Sequence, residues 1–183
     1  MTGGSGNSIY TVDTVADTVT EAVNGGTDWV FSTVGYTLPT NVENLVLTGV
    51  GAVSATGNAL NNTLIGNAAA NTLTGGAGAD RFVFNKAPSA SNIDTITDFS
   101  ASQGDKIVLD RTVFAKLASL TSLVSNFRFS TQTAVGADDY IVYNATNGQL
   151  SYDASGVGTG TAQVFATLIN KPQDITAQQF VVI

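Results

Sequence analysis

Between Gly57 and Val83 the apolar and polar positions repeat every nine residues. Leu64, Leu73 and Phe82 hold the eighth position of three successive units, Asn62, Asn71 and Asp80 the sixth, and Gly57, Gly66 and Gly75 the first. Each unit divides into six turn residues and three strand residues. The glycines admit positive φ, so the backbone can fold tightly and aim its carbonyls inward. The apolar eighth residue then points into a stack of short strands and packs on its copies above and below. Successive units are expected to alternate sides. The Gly57 and Gly75 turns would be neighbours on one edge, with the Gly66 turn on the other, so that Asn62 and Asp80 meet across one gap.

The same polarity pattern, loosened, covers the rest of the chain. Gly3 to Thr11 is another nine-residue unit, with Ser8 at the sixth position and Tyr10 at the inward one. The stack would therefore open on a turn, with an edge to which another copy could add. Asp17-Thr18-Val19-Thr20-Glu21 alternates as a strand does, Asn24-Gly25-Gly26 is a turn, and Asp28 to Ser32 and Asn41 to Leu47 read as strands. Val53 and Ala55 continue the inward face, and Lys86 to Ser91 is a loop. Val113, Phe114, Leu117 and Leu120 predict a short helix over about residues 111–118. Thr146-Asn147-Gly148 predicts a hairpin between Asp138–Asn144 and Gln149–Asp153, followed by a strand at Val164–Leu168 and an apolar tail ending at Ile183.

The third nine-residue unit, Gly75-Gly76-Ala77-Gly78-Ala79-Asp80-Arg81-Phe82-Val83, fits G-G-x-G-x-D-x-U-x in full. It resembles the repeat of the RTX family of secreted calcium-binding proteins. Two further segments are similar to that family. Asn41-Val42-Glu43-Asn44-Leu45 resembles the N-V-E-N-L stretch often found in RTX-type chains. Asp94-Thr95-Ile96-Thr97-Asp98-Phe99 with Gly104-Asp105-Lys106-Ile107 resembles the segment that follows the roll in RTX proteases, lipases and alginate epimerases. The resemblance implies an all-β fold: a right-handed parallel β-roll or β-solenoid with a C-terminal β-rich capping region and at most one or two short helices. Roll and cap are expected to divide at 1–92 and 93–183.

It also implies Ca²⁺. Asp80, Asp94 and Asp98 are expected to complete a calcium site at the last roll turn, with Asn62, the turn backbone at Gly75 and Ala77, and Asp105. Asp153 would serve an acidic loop of the form Y-D-x-D-G-x-G, from which Ser155 departs. Asn at the sixth position of two units, and the missing glycines there, imply fewer and weaker ions than a full array holds. The alternative is a calcium-free solenoid whose asparagines satisfy one another. Asp13, Asp17, Glu21, Asp28 and Glu43 are possible further ligands, though for each a solvated surface role is expected.

Composition narrows the partners. The 183 residues include no Cys and no His, and 14 acidic residues against 7 basic give a net charge of −7. That balance disfavours nucleic acid and anionic membranes and favours cations. Hydrophobic content of 43% and a mean hydropathy of +0.18 argue against disorder. No run is long enough for a membrane span, and no basic-then-apolar segment of the Sec type opens the chain. Without His or Cys, neither a Ser-His-Asp nor a Cys-His arrangement can be built. The expectation is a non-enzymatic, secreted protein that folds on calcium outside the cell, with an uncleaved C-terminal signal for type I export machinery, and that self-assembles end to end. The alternative is the C-terminal module of a larger secreted enzyme. A glycan- or ice-binding face is disfavoured because Arg81 interrupts the Thr63–Thr72 rank.

Overall fold

The computed structural model describes residues 1–118, 127–130, 139–155 and 162–183. Two sheets of short strands face each other across one core. The first contains β1 (Ile9–Val12), β2 (Trp29–Ser32), β4 (Asn44–Leu47), β6 (Thr63–Ile65), β8 (Arg81–Phe84), β10 (Lys106–Leu109) and β15 (Phe180–Val182), in that spatial order and parallel throughout. The second runs from β3 (Tyr36–Thr37) through β5 (Ser54–Thr56), β7 (Thr72–Thr74) and β9 (Asp94–Ile96), again all parallel. It continues with β14 (Gln163–Leu168), β13 (Gln149–Tyr152), β12 (Ile141–Asn144) and β11 (Phe127–Ser130).

Register explains the nine-residue period. Tyr10, Val30, Leu45, Leu64, Phe82, Ile107 and Phe180 lie opposite one another strand by strand, a single buried column. Ala55, Leu73, Ile96 and Leu168 form the facing column. Each fully buried aliphatic or aromatic side chain stabilises the stack by roughly 1.5–3 kcal/mol, so strands of three residues hold only because the columns are continuous. The parallel β-roll is therefore present, and both sheets run on through the expected division at residues 92 and 93. The hairpin is present as antiparallel β12 and β13, with Gly148 at φ 80°. The C-terminal tail is a strand of the first sheet, led in by a 3₁₀ turn at Ala177–Gln179 that Thr176 and Gln179 cap reciprocally.

Two expectations are corrected. Residues 111–118 are a turn followed by a 3₁₀ turn at Ala115–Leu117. Phe114 departs from helical geometry and is buried with Leu117, while the Lys116 N–H donates to the Tyr152 hydroxyl at 2.9 Å, so packing against the cap overrides the helical spacing. Asp17 to Glu21 is not a strand: Asp17 draws the N–H groups of Asp13 and Thr14 into a turn, and Thr20 alone bridges to Thr2. No helix among the described residues is long and apolar enough to cross a membrane.

Candidate metal centre at the roll edges

The strand order places the bends of the roll on two edges. Bends 57–62 and 75–80 and the loop 97–105 stack on one edge, and bend 66–71 lies on the other. On the first edge the carboxylates of Asp80 and Asp105 turn back and accept the N–H of the sixth-position residue one turn earlier. The Asn62 N–H donates to Asp80 Oδ1 at 2.8 Å, and the Asp80 N–H to Asp105 Oδ1 at 2.9 Å. Asp98 joins from the end of β9, accepting the N–H groups of Gly75 and Gly76 on its two oxygens at 2.9 and 2.8 Å. Asp105 Oδ2 holds Ser100 N–H at 2.8 Å.

One oxygen is left over. Asp80 is fully buried, and its Oδ2 has no hydrogen-bond partner. A Cβ on Gly75 would overlap that oxygen, and a Cβ on Gly57 would overlap the Gly75 carbonyl and Asn62 Oδ1. Gly76 and Gly78, at φ 98° and 112°, bring the backbone onto the carbonyls of Asn58 and Leu60. Burial, reinforced by the charges of Asp105 and Asp98 and opposed by the Asn62 N–H, pushes the Asp80 carboxyl up to about 6. Burial likewise pushes Asp105 up. A buried carboxylate oxygen with no donor among crowded carbonyls is costly unless a cation meets it. Among the described residues no three acidic side chains converge into a metal cage. The donor set that fits is one carboxylate plus backbone carbonyls, which are hard oxygens of the kind Ca²⁺ takes.

The two asparagine units show the contrast. Asn62 spends both ends of its amide on the protein: Oδ1 accepts the Asn58 N–H at 2.7 Å, and Nδ2 donates to the carbonyls of Val42 and Glu43 at 3.2 Å each. Asn58 Nδ2 donates to Pro39 and Val42 carbonyls at 2.7 and 2.8 Å. On the other edge Asn67 Nδ2 reaches Thr48 and Gly51, and Asn71 Nδ2 reaches Val53. These amide protons sit against the carbonyls of the preceding bend and do a cation's work there. The third unit has Gly76 and Asp80 in those two places, so it sends no side-chain amide to the carbonyls of bend 57–62.

The structure brings Asp80, Asp98, Asp105, Gly75, Ala77 and Asn62 together; the Ala77 N–H donates to the Asn58 carbonyl at 3.3 Å. It does not bring Asp94 to them. Asp94 opens β9 and Asp98 lies just past its end, and the two face opposite edges, because a strand this short crosses the roll from one edge to the other. Asp94 Oδ1 accepts the Asn71 N–H at 2.8 Å, and burial pushes its carboxyl up to about 6. Asp153 lies after β13, where its Oδ1 accepts the N–H and hydroxyl of Ser155 at 2.8 and 2.6 Å.

Asp28 was expected on the surface and is instead fully buried. Its Oδ1 accepts the Ser8 N–H at 2.7 Å, its own N–H donates to Glu43 Oε2 at 2.8 Å, and its Oδ2 has no partner. The signal was the Gly3–Thr11 unit, whose Ser8 needs an acceptor one turn on. Glu21 is also buried, where it accepts the Tyr10 hydroxyl.

Residues 56–85 match a family model described as RTX calcium-binding nonapeptide repeat (4 copies). The chain is also 39% identical over 64 residues to the endo-1,3-1,4-beta-glycanase ExsH of Rhizobium meliloti strain 1021. That stretch is 35% of this chain and 14% of the glycanase, so the shared part is a small fraction of the longer protein.

Proposed function

Residues 56–85 being an RTX calcium-binding nonapeptide repeat, we propose that this chain is a secreted calcium-binding roll whose last bends close on Ca²⁺ outside the cell. Bound there, the ion supplies positive charge to oxygens that otherwise repel one another. Asp80 and the carbonyls of Gly75, Ala77 and bend 57–62 would hold it. Asp98 and Asp105 keep that bend in register through the N–H groups of Gly75, Gly76 and Asp80. Binding that requires the folded bend contributes folding free energy, so the roll gains stability where calcium is plentiful. The observation that carries this reading is the buried, unpartnered Oδ2 of Asp80.

In this reading the protein is non-enzymatic. It leaves the cell by type I export, and its copies stack end to end through β1 and β15, the outer strands of the first sheet, into filaments or a surface layer. A second reading has a specific support: the matched stretch is 14% of a longer glycanase, as expected of a folding and export module in a larger secreted enzyme. One experiment separates them. Thermal melts with and without Ca²⁺ test metal-coupled folding; an unchanged melting temperature would reject both readings. Negative-stain microscopy of the calcium-loaded chain should show filaments or sheets, whereas monomers alone at high concentration leave the module reading standing.

A further inference from the structure

We propose that the outer face of the first sheet carries a sugar-binding cleft, in which Trp29 and Phe31 pack against the pyranose rings of a polysaccharide chain. Neither residue belongs to the metal centre described above, and the cleft does not depend on calcium being held there.

Side chains alternate across a strand, so the burial of Val30, Leu45 and Leu64 in the core turns Trp29, Phe31, Val46 and Ile65 outward. Phe31, Val46 and Ile65 lie opposite one another on adjacent strands, and all four outward side chains are half-buried. The Trp29 and Phe31 rings sit side by side, with centres 6.2 Å apart and planes 24° apart, as one nearly continuous aromatic floor. A cavity of about 450 Å³ opens over it, walled by the bend at 66–68 and by Asn85 and Lys86, which follow β8. That falls in the range of roughly 300–1,000 Å³ found for small-ligand sites.

The rim is rich in unspent donors. Among the described residues, the Trp29 indole N–H, the Thr48 hydroxyl and Asn85 Nδ2 have no hydrogen-bond partner. Lys86 spends one N–H on Asn85 Oδ1 at 3.0 Å and is otherwise exposed. A pyranose ring suits both halves of the cleft. Its C–H face is apolar and packs on aromatic rings, while the oxygens at its edge accept from donors placed around them. An acyl chain would cover the same floor but leave those donors unpaired. The platform is aromatic and not a row of threonines: Thr63 lies in β6 of the first sheet and Thr72 in β7 of the second, so the two do not form one rank.

Trp29 is the single tryptophan of the chain, so its fluorescence reports the cleft directly. Cellohexaose, laminarihexaose and hexagalacturonate are titrated into the full chain with Ca²⁺ present, and decanoate serves as the rival occupant. At least one oligosaccharide should shift the emission saturably to shorter wavelength. Phe31→Ala should weaken that binding roughly tenfold by calorimetry. Asn85→Leu and Lys86→Ala, at the rim, should each weaken it roughly threefold and leave the melting temperature where it was. No shift with any of the three oligosaccharides, a saturable shift with decanoate alone, or a Phe31→Ala chain that binds as the parent does overturns the proposal. Should Phe31→Ala fail to fold, the rim variants decide, and undiminished binding by both overturns it.

Discussion

Replacing Asp80 by Asn should make the protein more stable than wild type without calcium and less stable than wild type with it. The substitution keeps the Oδ1 acceptor for the Asn62 N–H and replaces the orphaned charged oxygen, which lies against Gly75, by a neutral amide. Asn62 and Asn71 hold the same position in the two earlier bends as neutral amides. Without metal, the wild-type carboxylate is charged at pH 7 although burial holds it at about 6 against an ordinary 3.8. That displacement corresponds to at most ~3 kcal/mol. The bend lies at the perimeter of the roll, where solvent screening lowers it to about 1 kcal/mol. A chain of this length should then melt roughly 2–4 °C higher as the metal-free variant. With Ca²⁺ at a hundred times its dissociation constant the wild type gains ~2.7 kcal/mol from a single site, most of which the variant forgoes. Thermal melts followed by circular dichroism, on metal-stripped and calcium-loaded samples, read both numbers. A variant less stable than wild type in both conditions, or one with an undiminished calcium response, refutes the argument that Asp80 is a carboxylate awaiting a cation.

Acid should act with opposite sign on the two forms. Asp80 and Asp94 are both lifted from 3.8 to about 6 in the metal-free roll. Their contribution to stability is therefore fully present below about 4 and lost as pH rises through about 6; metal-free melts at pH 5 should lie above those at pH 7.5. In Ca²⁺ the order inverts, since protons and metal compete for the same oxygens; a calcium-free melting temperature that rises across this window contradicts the assignment. Glu21 and Asp110 are held below the usual carboxylate range by the Tyr10 and Thr112 hydroxyls, so they titrate beneath it. Gly76→Ala should cost about 1–3 kcal/mol, because φ is 98° and the added Cβ meets the Asn58 carbonyl. Gly4→Ala, with nothing within 4 Å of its Cβ, should melt as wild type does; equal melting of the two variants would show that the bend is not as tight as drawn.

The period of nine made the columns Leu64–Phe82 and Ala55–Leu73 legible, because the register is a direct consequence of equal spacing. The hairpin was legible for the same reason: Asn147-Gly148 forces it locally. What escaped was anything set by the neighbouring turn. Asp94 and Asp98 sit four apart and share a face in an extended strand, yet β9 ends at Ile96 and the chain turns the corner before Asp98. Asp28 reads as one more acidic residue in an irregular stretch, and only stacking on Ser8 and Glu43 buries it. The asparagines were readable as polar and turn-forming. Their action as proton donors to the previous bend depends on which carbonyls lie beneath them. The stripe at Val113 to Leu117 carried the apolar pattern of a helix, but Tyr152 and the cap claimed its side chains and one of its N–H groups first.

The carboxylate ladder along the edges has a grain. Ser8 leans on Asp28, Asp28 on Glu43, Asn62 on Asp80, Asp80 on Asp105, Asn71 on Asp94, and each time the N–H belongs to the earlier residue and the oxygen to the later one. Trimming the chain from its front frees oxygens that water can greet at little expense. Trimming it from behind strands backbone hydrogens inside the wall. Such a molecule is best assembled from its tail forward, each new rung hung on one already in place, and it should unravel in the reverse sense.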